Sequence, residues 1–427
     1  MRKMKNTGIP WIAEIPFNWN VTRIKYESEL KGRIGWQGLT SEEYIEEGPY
    51  LITGVNFCNG IINWESCFHV SKWRYDQDKS IHINEQDLLI TKDGTVGKVA
   101  IALNCPDRVT LNSGVLLVKN ISNSYLNKFL YYVIYSNEFK EWFNILNSGN
   151  TTILHLYQHD FENFIFALPP IEEQNIIINY LDEECGKIDS IYKDVEKQIE
   201  TLEQYKRSII TESVTKGINK EVTLIEDKNE WFLCIPTKWI KTRIGAVYKL
   251  RNTKVSDKDY MPLSVTMRGV VPQLENAAKT DAHDDRKLVK KGDFAINSRS
   301  DRRGSCGIAP CDGSISLINI VLEPKQNMNS RYYNWLFHTT EFADEFYKWG
   351  HGIVNDLWTT TWQEMKNIII PMPPISEQEE IANFLDKKCA EIDSIIEDKK
   401  KQLEILEDYK KSLIYEFVTG KKEVPNE

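Results

Sequence analysis

The sequence is short of the features that would make it a membrane protein, a secreted protein or an enzyme. None of its apolar runs approaches the roughly 18 residues that a bilayer-spanning helix needs. The opening residues, MRKMKNTGIPWIAEIP, are basic but have no apolar core segment, so they do not read as a signal peptide. The eight cysteines form no CxxC pair, and a chain of 427 residues needs no disulfide to hold a core. They read as reduced thiols of a cytoplasmic protein. No NPPY- or DPPY-type tetrapeptide for amino methylation occurs, and neither a GxGxxG nor a GxxxxGK[ST] phosphate loop. GTVGK at 94–98 is Gly-spaced and basic but too short for a phosphate cradle. His155 and His159 have the spacing of two metal ligands on a helix. Their segment reads as a loop, however, with no following Glu and no nearby Cys, and they are read as solvated or packed. Cys306 and Cys311 are read as small core residues beside a loop. No carboxylate pair stands out for acid–base work. The residues describe a binder with no catalytic centre, no bound cofactor and no metal.

A net positive charge is also lacking. The net charge is −9, but the deficit is local. Residues 171–216 carry −5 and residues 375–420 another −5, which leaves the globular remainder at +1. Bulk charge therefore neither demands nor excludes a nucleic-acid partner; a local basic face decides.

Those two acidic stretches form an internal repeat. Pro169 to Thr215 returns at Pro373 to Thr419 with 27 of 47 positions identical and no gap. Each copy reads as a long helix opened by a double Pro, with Glu172 and Glu173 suited to the positive end of the helix dipole. Ser376 and Glu379 have capping-box spacing. Apolar residues fall seven apart at Ile188, Val195, Leu202 and Ile209, with a second expected row at Ile191, Gln198 and Tyr205. Ile392, Leu406 and Leu413 match the first row, and Ile395, Gln402 and Tyr409 the second; Lys399 interrupts. This is a coiled-coil seam. About 30 helical residues give a rod of roughly 45 Å.

The repeat extends to whole modules. WIAEIPFNWNVTRI near the N-terminus reopens as WFLCIPTKWIKTRI at Trp231. The expected order is a globular part (1–168), a helix (169–216), a second globular part (217–372), a second helix (373–420) and a tail (421–427). Strand-like runs at 87–91, 97–103 and 114–119, with a turn at Asp93-Gly94, precede one expected helix at 125–146. GDFAINS, ISLINIVLEP and a helix near 331–347 repeat the plan. The fold class is α+β: two mixed α/β domains separated by a pair of long antiparallel helices with pseudo-two-fold symmetry. Two like domains set one rod apart suit two half-sites on duplex DNA, about 34 Å per turn. Their differing sequences imply unequal half-sites.

The doubled PPIEEQ…LD…IDSI…LE.YK.SLI pattern and the paired openings resemble the specificity subunit of type I restriction–modification systems. So do ITKDGTVGKVAI (90–101) and NSRSDRRGSCGIAP (297–310). The resemblance covers nearly the whole chain. It implies two target-recognition domains, a bipartite DNA target, and helices that dock two methyltransferase subunits, with restriction (nuclease/translocase) subunits joining. S-adenosylmethionine, ATP and Mg are then expected on the partners. Adenine methylation by the partner would mark self DNA.

Arg, Lys, Asn and Gln read base edges, while Lys, Arg, Ser and Thr hold phosphates. The richest loop is NSRSDRRG, with Asn297, Arg299, Ser300, Arg302 and Arg303. Lys254 and Arg268 are further candidates in the second domain. In the first domain the candidates are Arg33, Gln37, Lys92, Lys98, Asn150 and Thr151. Each could instead be a turn residue or part of a solvated loop. On the helices, Glu203, Tyr205 and Lys206 recur as Glu407, Tyr409 and Lys410, a matched pattern for two copies of one partner. The competing reading is a coiled-coil scaffold whose globular ends bind protein.

Overall fold

The computed structural model describes residues 2–33, 39–148, 155–227, 231–273, 284–352 and 358–425. The chain forms two compact units, Met1–Glu196 with Lys401–Glu427, and Lys197–Lys400. Their boundary falls inside both long helices, Ile171–Lys216 and Ile375–Val418.

In the first unit a six-stranded sheet runs in the order Ser28–Gly32, Val115–Asn120, Leu88–Thr91, Val99–Ile101, Ile61–Ile62, Phe57–Cys58. Its central strands lack a polar face because both faces are covered. Leu88, Ile90, Leu116 and Val118 point into one core; Leu89, Val115 and Leu117 point into another. The first core is roofed by helices, the second by a three-stranded sheet built on Ile45–Ile52. The second unit repeats this with a four-stranded sheet, in which Phe294 and Ile296 face the helices and Ala295 the opposite side.

The single helix expected over 125–146 is two, Asn127–Tyr135 and Asn137–Leu146. Ser136 ends one with an extended backbone and caps the next, its Oγ accepting from Glu138 N at 3.1 Å. In the second unit His338 ends Ser330–Phe337 and Thr339 caps Thr340–Lys348, its Oγ1 accepting from Phe342 N at 3.2 Å.

Each unit contains the start of one long helix and the end of the other, running antiparallel. In the first unit the Tyr180 and Phe417 rings are 4.6 Å apart, and Lys410 Nζ lies 2.6 Å from Asp189 Oδ1. In the second, Lys206 Nζ lies 2.6 Å from Asp393 Oδ1, the same positions of the repeat. Ile188 and Val195 are buried as the heptad row requires. The second row differs from expectation. Ile191 is 48% exposed, Tyr205 48%, Ile395 46% and Tyr409 55%. The seam instead uses residues four after the first row, Cys185, Tyr192, Ile199 and Lys206, which are buried or half-buried. Spacings of three and four both fit a heptad, so the apolar count alone could not choose between them.

The capping box at Ser376 does not start its helix, which begins one residue earlier at Ile375. The first turn is held by a buried glutamine. Gln174 Nε2 donates to Pro169 O (2.9 Å) and its Oε1 accepts from Leu126 N (2.8 Å). Gln378 repeats both bonds with Pro373 O (2.8 Å) and Asn329 N (2.9 Å). The paired tryptophans are locks as well. Trp11 Nε1 donates to Ile165 O at 2.9 Å, and Trp231 Nε1 to Ile369 O at 3.1 Å. Each long helix ends at a glycine with positive φ, Gly217 at 81° and Gly420 at 69°. A Cβ on Gly420 would stand 2.5 Å from Pro16 Cδ, so only glycine lets the chain turn this close. In each unit the strand that leads in from the opening segment pairs with the strand that leads out. Asn20–Arg23 lies beside Ile165–Leu168, and Ile240–Arg243 beside Ile369–Met372.

Leu181 is fully buried in the seam. Leu181→Ala should cost about 3 kcal/mol by chemical denaturation, whereas Ile191→Ala should stay within about 0.5 kcal/mol of the parent. Equal losses at the two sites would contradict this register.

Candidate nucleic-acid interface

The two units present equivalent hairpins. Leu88–Thr91 pairs with Val99–Ile101, and Phe294–Asn297 with Cys306–Ile308. Each hairpin loop is held by the segment before the last strand, through Leu156 N to Lys92 O (3.0 Å) and Thr360 N to Ser298 O (3.0 Å). The positions Lys92 and Ser298 are therefore structurally matched, although apart from a glycine before the return strand (Gly97, Gly304) the loops differ in sequence.

In the second unit the loop carries a short 3-10 turn, Ser300–Arg302. Arg299 Nε lies 3.0 Å and Arg302 Nε 3.8 Å from Asp301 carboxylate oxygens, and Arg303 pairs with Asp344. The side chain of Arg302 is 68% exposed. The Arg302 and Arg303 pairs are open to solvent and hold little energy, so an anionic ligand can displace them, whereas Arg299 is half-buried. Ser300 N donates to Trp358 O at 3.0 Å, which fixes the loop backbone. Asn297 departs from expectation. It is buried, its Oδ1 accepts from Arg299 N at 3.1 Å and its carbonyl from the Tyr347 hydroxyl at 3.2 Å. It shapes the loop and presents no edge to a ligand.

Arg268 is exposed at the tip of the Leu263–Thr266/Gly269–Pro272 hairpin. That tip is set beside the arginine hairpin by a glycine contact: a Cβ on Gly307 would lie 2.6 Å from Gly269 Cα. Lys254 is exposed and pairs with Asp285 at 2.6 Å.

In the first unit Lys98 is exposed and Lys92 half-buried. Gly94 takes positive φ (69°) at the turn that Asp93-Gly94 announced. Arg33 is a correction. It is 1% exposed, its Nε donates to Leu111 O (3.0 Å) and its Nη2 to Thr110 Oγ1 (3.2 Å). Burial lowers its pKa, and it ties strands together where DNA cannot reach. Gln37, Asn150 and Thr151 lie outside the described residues. His155 Nδ1 is hydrogen-bonded to Asp93 Oδ1, and His159 Nε2 lies 3.0 Å from Asp160. Asp93 and His155 thus sit at the loop that matches the arginine loop. The sequence offered His155 as a solvated or packed residue and Asp93 as a turn residue, and did not join them because 62 residues separate the pair.

On the helices Glu203, Tyr205 and Tyr409 face outward, whereas Lys206 and Lys410 are occupied by Asp393 and Asp189. Glu407 accepts from the Tyr135 hydroxyl at 3.1 Å and pairs with Lys411 at 3.0 Å. The repeated row that stays exposed is Ile191, Gln198, Tyr205 and its copy Ile395, Gln402, Tyr409. The eight cysteines are unpaired. No helix among the described residues is long and apolar enough to cross a membrane.

The model of the type I restriction modification DNA specificity domain matches this sequence twice, over residues 34–201 and 236–405. The chain belongs to that family. Two curated specificity subunits of type I restriction enzymes illustrate the likeness. The putative MjaX subunit of Methanocaldococcus jannaschii is 25% identical over 96% of this chain and 95% of its own length. The EcoBI subunit of Escherichia coli is 22% identical over 73% and 68%. Among solved structures, a chain from work on complex assembly and conformational transition of the type I R-M system superposes with a TM-score of 0.66. It is 14% identical and covers 96% of this chain and 99% of that one. The HsdS subunit of Thermoanaerobacter tengcongensis gives 0.50 at 15% identity, covering 96% and 98%. The fold is therefore that of a specificity subunit: two mixed α/β domains with a long helix between them.

One buried group beside the first hairpin sets a pH dependence. Glu138 is fully enclosed, and neither carboxylate oxygen has a hydrogen-bond partner among the described residues. Burial raises its pKa well above the ordinary 4.5. A carboxyl raised on folding binds more protons folded than unfolded, so its contribution to stability falls as pH rises above 4.5. Glu138→Gln should raise the unfolding free energy at pH 7, and the gain should vanish near pH 4. A variant less stable than the parent at pH 7 would contradict the assignment.

Proposed function

We propose that this specificity subunit reads a bipartite, asymmetric duplex DNA target, one half through each globular domain. The observation that carries this reading is the pair of equivalent hairpins with unlike side chains. Arg299, Arg302 and Arg303 stand in one where Asp93 and Lys98 stand in the other. Guanidinium groups favour guanine edges and phosphates, whereas a carboxylate accepts from cytosine or shapes a neighbouring donor. Unlike loops on like scaffolds read unlike half-sites.

The exposed rows Ile191–Gln198–Tyr205 and Ile395–Gln402–Tyr409 are the surfaces for methyltransferase subunits, two per chain, with restriction subunits joining them. Lone apolar residues on a surface are ordinary, but the same row kept twice on otherwise acidic helices marks a docking face. Recognition is this chain's part. Chemistry belongs to the partners, which would hold S-adenosylmethionine, ATP and Mg. The assembly works in the cytoplasm.

Co-expression with the methyltransferase and mapping of methylated adenines should return a motif with two unequal halves. Replacing Arg299, Arg302 and Arg303 together by Gln should weaken DNA binding and relax one half only, at about 1–3 kcal/mol for each base-reading arginine. A motif unchanged in both halves would remove the hairpin from the reading. In a separate test, Tyr205→Ala with Tyr409→Ala should release methyltransferase subunits in sedimentation runs, and retention of two subunits would move the docking face elsewhere.

A further inference from the structure

Beside the hairpin of the first unit lies a cleft of about 720 Å³. All its walls belong to this unit: the loop Val96–Lys98, the helix Asn137–Leu146, and facing stretches of the long helices near Tyr192 and Lys411. Its inner cations are already matched, Lys410 by Asp189 at 2.6 Å and Lys411 by Glu407 at 3.0 Å. The rim differs. Lys98, Lys140 and Lys193 come from the hairpin, the short helix and the first long helix. All three are exposed, and among the described residues no carboxylate lies within ion-pair distance of their ammonium groups. This runs against the surrounding charge, since residues 171–216 carry a net −5. Compact, flexible ammonium groups without fixed fork geometry suit phosphate oxygens better than base edges.

We propose that Lys140 and Lys193 continue the surface begun by Lys98 into a sequence-neutral phosphate track. It holds the backbone of the duplex beyond the half-site that this unit reads. The inference rests on the DNA-reading role proposed above. Two observations favour duplex DNA over an acidic protein segment. Lys98 belongs to the hairpin that matches the arginine hairpin of the second unit. The track also lies on the opposite flank of the seam from the exposed apolar row. Asp189, Lys193 and Glu196 recur at four and three residues and share one face, which Ile191 and Gln198 do not. A protein partner has its own face on this helix.

The test uses the complete complex with its methyltransferase and a duplex carrying the mapped target. Lys140→Gln with Lys193→Gln should reduce the slope of log affinity against log salt by about 1.8, or about 0.9 for each lost phosphate contact. The methylated motif should stay the same. An unchanged slope overturns the track. So does loss of the methyltransferase from the complex at unchanged slope, which would assign the rim to an acidic protein segment. Failure of the recognition reading itself is visible separately, as a parent complex with no motif and no salt-dependent binding.

Discussion

The larger hydrophobic core of each unit includes two helical segments that lie far apart in the sequence. In the first unit Ile177, Leu181, Cys185 and Ile188 share a core with Leu413, Ile414, Phe417 and Val418. In the second, Val214 joins Ile381, Ala382 and Leu385. The short helices Asn127–Tyr135 and Ser330–Phe337 lie against the sheets, and segments of both long helices pack into the same cores, so each globular part and the helix pairing share apolar surface. The buried Gln174 and Gln378 then fix where each helix leaves its domain, because an unmet amide in that apolar setting is costly.

Much of this was legible from the chain. Repetition revealed the module order, and heptad spacing revealed two long helices. The strand runs around Leu88–Thr91 and Phe294–Asn297 were plain because strands covered on both faces are continuously apolar. What escaped reading has physical reasons. A serine or threonine between two apolar helical stretches can sit inside one helix or cap a second, and Ser136 and Thr339 cap. The choice between Ile191 and Tyr192 for the seam depends on rotation about the helix axis, which composition does not set. Arg33 looked like a DNA ligand because guanidinium groups usually are surface groups, yet backbone and threonine oxygens meet it inside the domain. The Asp93–His155 pair was invisible because it joins two loops that only the fold brings together.

Charge is partitioned with equal regularity. The helices hold the acidity and place part of it in matched lysine–aspartate clasps across the seam, Lys206–Asp393 and Lys410–Asp189. The second unit's hairpin carries Arg302 and Arg303, whose ion pairs are exposed, and the first carries the exposed Lys98. The net negative charge of the helices repels a polyanion except where Lys98, Lys140 and Lys193 gather. An acidic helix pair therefore disfavours a polyanion along its own surface, which suits the reading role proposed for the hairpins.

The side-by-side strands at the base of each domain bear on how such a protein can change over generations. Since Asn20–Arg23 lies against Ile165–Leu168, and Ile240–Arg243 against Ile369–Met372, the chain leaves the shared frame and rejoins it at neighbouring points. Everything between is a cassette. Exchange of one cassette by recombination keeps the Trp11 or Trp231 lock, because its acceptor is a backbone carbonyl indifferent to side-chain identity. Half of an inherited address can thus be rewritten in one genetic step, while the other half and the helices pass on unaltered.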